Sequence, residues 1–200
     1  ALSDAPDRLD PLLLSAWCHE HDSGLKIVAA KRNPDADALA SEAAVLRLLD
    51  VACASFDYVL VDMPRHMRPW TKAVRAAADE TIIISELTVP SLHAAADMCR
   101  DIDSWRADGS PTRLVLNRMF AKKRFRAEFA VDRAEAAIER AIDATITSDW
   151  DAARTAVNMG RPIAEVKPKS PIVGDVHTLV GRWMPQLAQA AAPQKMKARA

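Results

Sequence analysis

The sequence predicts an α/β fold, a mostly parallel sheet with helices on both faces. Two observations carry that reading. Short runs read as strands at Tyr58–Asp62, Thr81–Ser85 and Arg113–Leu116; the first is apolar without alternation, which fits a parallel strand buried on both faces, and the second is β-branched. Between them lie stretches of helical spacing, long enough to cross a sheet, and strands joined by such crossovers run parallel.

Taken in order, Asp10-Pro11 is a cap with a proline suited to a first helical turn. Leu12, Leu13, Ala16 and Trp17 then mark the apolar side of a helix over Pro11–His21. Gly24 introduces a short strand, Leu25–Ala30. Asp35–Ala54 makes a long amphipathic helix, with Leu39, Ala43, Leu46 and Leu49 on one stripe and Arg47 and Asp50 outside it. The Tyr58–Asp62 strand follows, then a helix around Trp70–Ala78. Thr81–Ser85, bounded by Asp79-Glu80 and Pro90, is the next strand. Ser91 caps a helix reaching Trp105, which Gly109-Ser110-Pro111 ends. Arg113–Leu116 is a strand stopping at Asn117. A charged helix covers Arg124–Glu139, Ala141–Thr147 is the last strand, and Asp149–Val157 and Val173–Ala190 are the closing helices. Gly160 suits a left-handed helix end and Pro162 prevents the helix resuming. Residues 191–200 are expected to be a disordered basic tail, leaving 1–190 as one domain.

Composition narrows the function. The chain has 200 residues, half of them hydrophobic, enough for one core. Lys+Arg and Asp+Glu balance at 27 each, so net charge points to neither nucleic acid nor membrane. No run approaches the roughly 18 apolar residues of a membrane helix, and residues 1–10 are no signal peptide. Cys18, Cys53 and Cys99 lie far apart inside apolar patterns and read as buried thiols of a reducing, cytoplasmic compartment. There are five glycines, and no G-x-x-x-x-G-K-[ST] phosphate loop occurs. The start at Ala1, in a loop-like stretch, reads as the excised C-terminal part of something longer.

Two polar residues stand where parallel strands end. Asp62 closes its apolar strand, in the crevice where open α/β sheets bind ligands, and in phosphate-binding folds such a carboxylate orients magnesium. Its plainer role is to cap the next turn. Asn117 follows Leu114-Val115-Leu116; an amide offers donor and acceptor together, as the edge of a purine requires, while its plainer role is a turn. Thr147-Ser148-Asp149 fits either a cap or a pocket lining. The basic run Arg118, Lys122, Lys123, Arg124 and Arg126, interleaved with Phe120 and Phe125, fits a solvated face better than a nucleic-acid groove. His66 and His93 lack metal-ligand spacing, and Ser91 and Ser148 lack a suitable His and acid.

The order of several short motifs resembles the MinD/ParA superfamily of deviant Walker ATPases. These are Asp62-x-Pro64, Ile82-Ile83-Ile84-Ser85 before Val89-Pro90-Ser91-Leu92, Leu116-Asn117-Arg118, and Ala156-x-Asn158-x-Gly160-x-Pro162. Arg8-Leu9-Asp10, Gly24-Leu25, Asp62-Met63-Pro64-Arg65 with Trp70, and Leu87-Thr88 before Val89 are similar to its CpaE/TadZ pilus-assembly branch. The resemblance spans residues 8–185. It implies a P-loop NTPase fold and a switch that dimerises around ATP and magnesium. Asp62 is then the catalytic, metal-side carboxylate and Asn117 the adenine contact. It further implies cytoplasmic, polar positioning of the machinery that builds tight-adherence (Flp-type) pili. The family's first strand and phosphate loop would lie before Ala1, as would the receiver-like domain of this branch, so the chain alone is expected to be inactive. Arg65-His66-Met67-Arg68 replaces the glycine that many members place after the proline. A pseudo-ATPase scaffold and a ParA-like DNA-partition factor are the alternatives.

Overall fold

The structure is a computed structural model that describes residues 6–29, 41–64, 66–106, 112–120 and 124–184. It divides into two compact units, Ala1–Asp79 and Glu80–Ala200.

In the first unit, a 3-10 turn (Pro6–Arg8) leads into helix α1 (Pro11–Trp17), where Asp10 caps by accepting the Leu13 N–H at 2.8 Å. Strands β1 (His19–Glu20) and β2 (Lys26–Ile27) form an antiparallel pair around Gly24, whose φ is +84°. The expected Leu25–Ala30 strand is therefore a short antiparallel one: the turn at residues 21–24 folds the chain back before a parallel partner is reached. Helix α2 (Glu42–Ser55) starts at Ser41, whose hydroxyl accepts the Ala44 N–H. It packs through Leu48, Val51 and Ala52 on Leu9 and Leu14, which are 0 % and 1 % exposed. That face is rotated from the expected Leu39–Leu49 stripe. Arg47, expected outside, turns back to donate to the Leu9 carbonyl at 2.9 Å. Residues 58–64 carry no regular secondary structure, in place of the expected Tyr58–Asp62 strand. Val59 packs on the core but Leu60 is 80 % exposed. Pairing is what makes an apolar run a strand, and no described strand pairs with this one. Helix α3 (Thr71–Ala77) completes the unit.

The second unit is the α/β layer that the sequence predicts. Strands β3 (Ile82–Glu86), β4 (Arg113–Met119) and β5 (Ala144–Thr147) form a parallel sheet in the order β3-β4-β5. Crossovers are helix α4 (Val89–Trp105) and helix α5 (Arg124–Ile138). Leu114, Val115 and Leu116 are 0, 1 and 0 % exposed, the continuous burial of a strand covered on both faces. Leu114 and Leu116 meet Leu92, Ala95, Ala96 and Cys99 of α4 and Ala134 and Ile138 of α5. On the face shared by Arg113 and Val115, the Arg113 guanidinium lies 4.7 Å from the ring centre of Trp183. Trp183 ends helix α8 (Pro171–Trp183), which follows helix α6 (Trp150–Met159) and the short helix α7 (Ile163–Val166). Thr88, rather than Ser91, caps α4, and Pro90 sits in its first turn. Gly160 ends α6 at φ +60°, as expected.

The three cysteines are free, but only Cys99 is buried; Cys18 is intermediate and Cys53 exposed, which corrects the expectation of three buried thiols. Cys53 sits on α2 away from the buried Val51–Ala52 face. The helix stop at Gly109-Ser110-Pro111, the start of the predicted Asp35–Ala54 helix, Lys122, Lys123 and the tail 191–200 lie outside the described residues. No helix among the described residues is long and apolar enough to cross a membrane.

Candidate functional site

Because β3, β4 and β5 are parallel, their carboxyl ends share one rim of the second unit, and Asn117 stands on it. Glu86, the last residue of β3, pairs in register with Asn117 of β4. Between β4 and β5 the register slips: Leu116 pairs with Thr145 but Met119 with Thr147, so one extra residue of β4 bulges at the rim. The bulge holds Asn117 and Arg118, and Arg118 takes φ +57°, a left-handed conformation that side chains other than glycine disfavour. Two contacts hold it there. Its N–H donates to Asn117 Oδ1 at 2.8 Å, and its Nη1 donates to Glu86 Oε1 at 2.8 Å.

The half-buried Asn117 amide is thus fixed by its oxygen while its nitrogen donates to no described residue. Oδ1 keeps a second lone pair, so the amide can still offer a donor and an acceptor to a planar polar edge. Exposed apolar side chains border this rim, among them Leu87, Val89 and Phe120.

The next strand end is pinned rather than open. The Thr147 N–H donates to Asp175 Oδ2 of α8 at 2.7 Å, and the Ser148 N–H to the Met119 carbonyl. Asp149 caps α6 through the Ala152 N–H, and its Oδ2 accepts from Lys167 Nζ and the Ser170 hydroxyl, both at 2.8 Å. Lys167, then Ser170, hold the Asp149 carboxyl below the usual carboxylate range. Of the two roles the sequence leaves open for Thr147-Ser148-Asp149, the structure shows the cap. Lys167, Ser170 and Asp175 carry no motif in the sequence; only the fold brings them to this loop. A shallow depression of about 370 Å³ lies between α6 and α7, lined by Ala153, Ala156, Val157, Pro162 and Ile163. It is apolar, and its neighbouring Arg161 is committed to Glu165.

Asp62 belongs to the first unit. It is exposed, in the irregular segment 58–64, and takes part in no described hydrogen bond or ion pair. Among the described residues no group of three or more His, Cys, Asp or Glu side chains is placed to share a metal. What the described rim offers is recognition by an amide.

No protein-family model matches the sequence, and no curated protein matches it. Solved structures do match. A ParA family ATPase from Chlorobium tepidum TLS superposes with a TM-score of 0.74 at 24 % sequence identity, over 88 % of this chain and 71 % of that one. The MinD cell division protein of Aquifex aeolicus superposes with a TM-score of 0.62 at 18 % identity, over 90 % of this chain and 74 % of that one. At such identities the likeness is one of architecture: the chain has the α/β fold of the ParA family ATPase and MinD.

Proposed function

We propose that the chain is part of a ParA/MinD-type, nucleotide-dependent positioning factor, and that its task is the assembly of tight-adherence (Flp-type) pili. The observation that carries the reading is Asn117, an amide held by a bulge on the carboxyl rim of a parallel sheet, its nitrogen donating to no described residue. That is the place where such sheets take ligands and the chemistry a purine edge needs. Similarity to a ParA family ATPase and to MinD supports the class. The motif order shared with the CpaE/TadZ branch supports the pilus role, with pilus-assembly proteins and a second copy as partners in the cytoplasm, at the cell pole.

The residues present fit ATP and magnesium in part. Asn117 would hold the base. Asp62, exposed and in no described ion pair, would be the metal-side catalytic carboxylate, since magnesium keeps most of its waters and takes one or two carboxylates with the phosphate oxygens. Bound magnesium would neutralise charge on the phosphates. The 200 residues hold no G-x-x-x-x-G-K-[ST] stretch, so the phosphate cradle is assigned to a segment outside them. The chain by itself is expected not to hydrolyse ATP.

The test is calorimetric titration of ATP with magnesium into the polypeptide that includes the phosphate loop. Asn117→Ala and Asp62→Ala should each weaken binding about tenfold, the loss of one good hydrogen bond or ion contact. Unchanged binding in both variants would replace the switch by a scaffold that does not use nucleotide.

A further inference from the structure

The segment between Asp62 and α3 is tied to that helix by one buried cation. Arg75 of α3 is 4 % exposed, yet its described acceptors are a thioether and a distant carbonyl: Nη1 donates to Met67 Sδ at 3.1 Å and Nη2 to the Pro64 carbonyl at 3.4 Å. A buried guanidinium ordinarily faces a carboxylate, and a thioether is a weak acceptor. Burial pushes the Arg75 pKa below its usual value, in keeping with a poorly compensated charge. Thr71 Oγ1 also lies 3.6 Å from the sulfur, but the Arg68 carbonyl at 2.9 Å is the better taker of its single proton. Met67 itself is 53 % exposed, within reach of a dissolved oxidant.

We propose that Met67 is a reversible oxidation site whose sulfoxide oxygen pins the residues after Asp62 to α3 through Arg75. Hydrogen peroxide supplies the oxygen. A sulfur lone pair attacks one peroxide oxygen and the O–O bond breaks; sulfur gives up two electrons, and the other oxygen leaves as water. A dithiol reductase reverses the change, releasing the oxygen as water and ending as a disulfide. Rotation about the Cγ–Sδ bond turns the new oxygen toward Nη1. There it gives the guanidinium a strong acceptor, which no described residue supplies. The inference uses only the first unit and stands whether or not the nucleotide reading does.

Before oxidation the cation protects the sulfur, because positive charge builds on sulfur as oxygen transfers. Met159 is the internal control, since it is 54 % exposed and its sulfur has no described donor. The whole chain is treated with dilute hydrogen peroxide and followed by peptide mass spectrometry. Met67 should oxidise about fivefold more slowly than Met159, and Arg75→Gln should bring the two rates together. Trypsin cleavage after Arg65 reads the second half of the proposal and does not require the Arg75 variant to fold. Cleavage should slow about threefold on oxidation and in Met67→Gln, whose amide oxygen stands in for the sulfoxide, while Met67→Leu should be indifferent to peroxide. Equal oxidation rates in the unsubstituted chain, or cleavage that is unchanged or faster after oxidation, would overturn it.

Discussion

Asp103 shows how one side chain fixes the far end of the sheet from the rim. It accepts the Thr112 N–H at 2.8 Å and Arg140 Nη1 at 2.8 Å, joining the end of α4 to the start of β4 and to the turn before β5. Burial alone would raise its pKa; hydrogen bonds from Thr112 and Arg140 outweigh it and hold the carboxyl below its ordinary value. A depressed folded pKa contributes stability in full above the unfolded value, about 3.9, and loses it as pH falls through the folded one. Urea midpoints measured from pH 7 downward should therefore drop more steeply below about pH 4 in the unsubstituted chain than in Asp103→Asn. At pH 7 that variant should be less stable by about 1 kcal/mol. Parallel acid limbs would remove Asp103 from the acid response. Asn117 and Arg118 are the opposite case, a local strain kept at the rim. The left-handed Arg118 costs on the order of 1 kcal/mol and is held by contacts to its own neighbour and to Glu86.

At the scale of elements, what the sequence makes legible is what local chemistry decides. Helix α6 is readable at both ends because Asp149 and Gly160 are themselves the start and stop signals. The buried run Leu114–Leu116 is readable because burial on both faces removes alternation. The apolar run at 58–62 looks the same in sequence, but whether it becomes a strand depends on a neighbour, which its own residues do not encode. The buried face of α2 is likewise chosen by Leu9 and Leu14, more than 30 positions earlier, not by its own stripe. Asn117 is legible as a strand-end amide. The bulge that aims it arises from the slip against Thr145 and Thr147 and is not legible. Gly160 allows a clean test of the local part. Its φ is +60° and a Cβ there would meet nothing within 4 Å, so the penalty for a side chain is backbone strain alone. Gly160→Ala should cost about 1 kcal/mol in chemical denaturation and Gly160→Asn less, because asparagine tolerates this conformation. An alanine variant as stable as the parent would mean that α6 ends by other means.

At the scale of the whole molecule, charge bears on which of the proposed roles the chain can serve. A protein that partitions DNA gains affinity by releasing counterions from phosphates, which calls for a basic field. Here 27 cationic residues are matched by 27 anionic ones, and the strip that stands out is Arg118 with Lys122, Lys123, Arg124 and Arg126. Arg118 is already committed to Glu86 at 2.8 Å. The other four cations of that stretch, if all engaged phosphate, would give a slope of log affinity against log salt of about −3.6. We expect less than that: fluorescence anisotropy with a labelled duplex should show no binding tighter than about 100 µM near 0.15 M salt, the weak end of non-specific affinity. Below that salt, any residual binding should not change when Lys122, Lys123 and Arg124 are replaced by alanine. A slope approaching the four-cation value, flattened by the triple substitution, would favour DNA partition over the proposed pilus role. The fold would stand either way, and so would the amide on its rim.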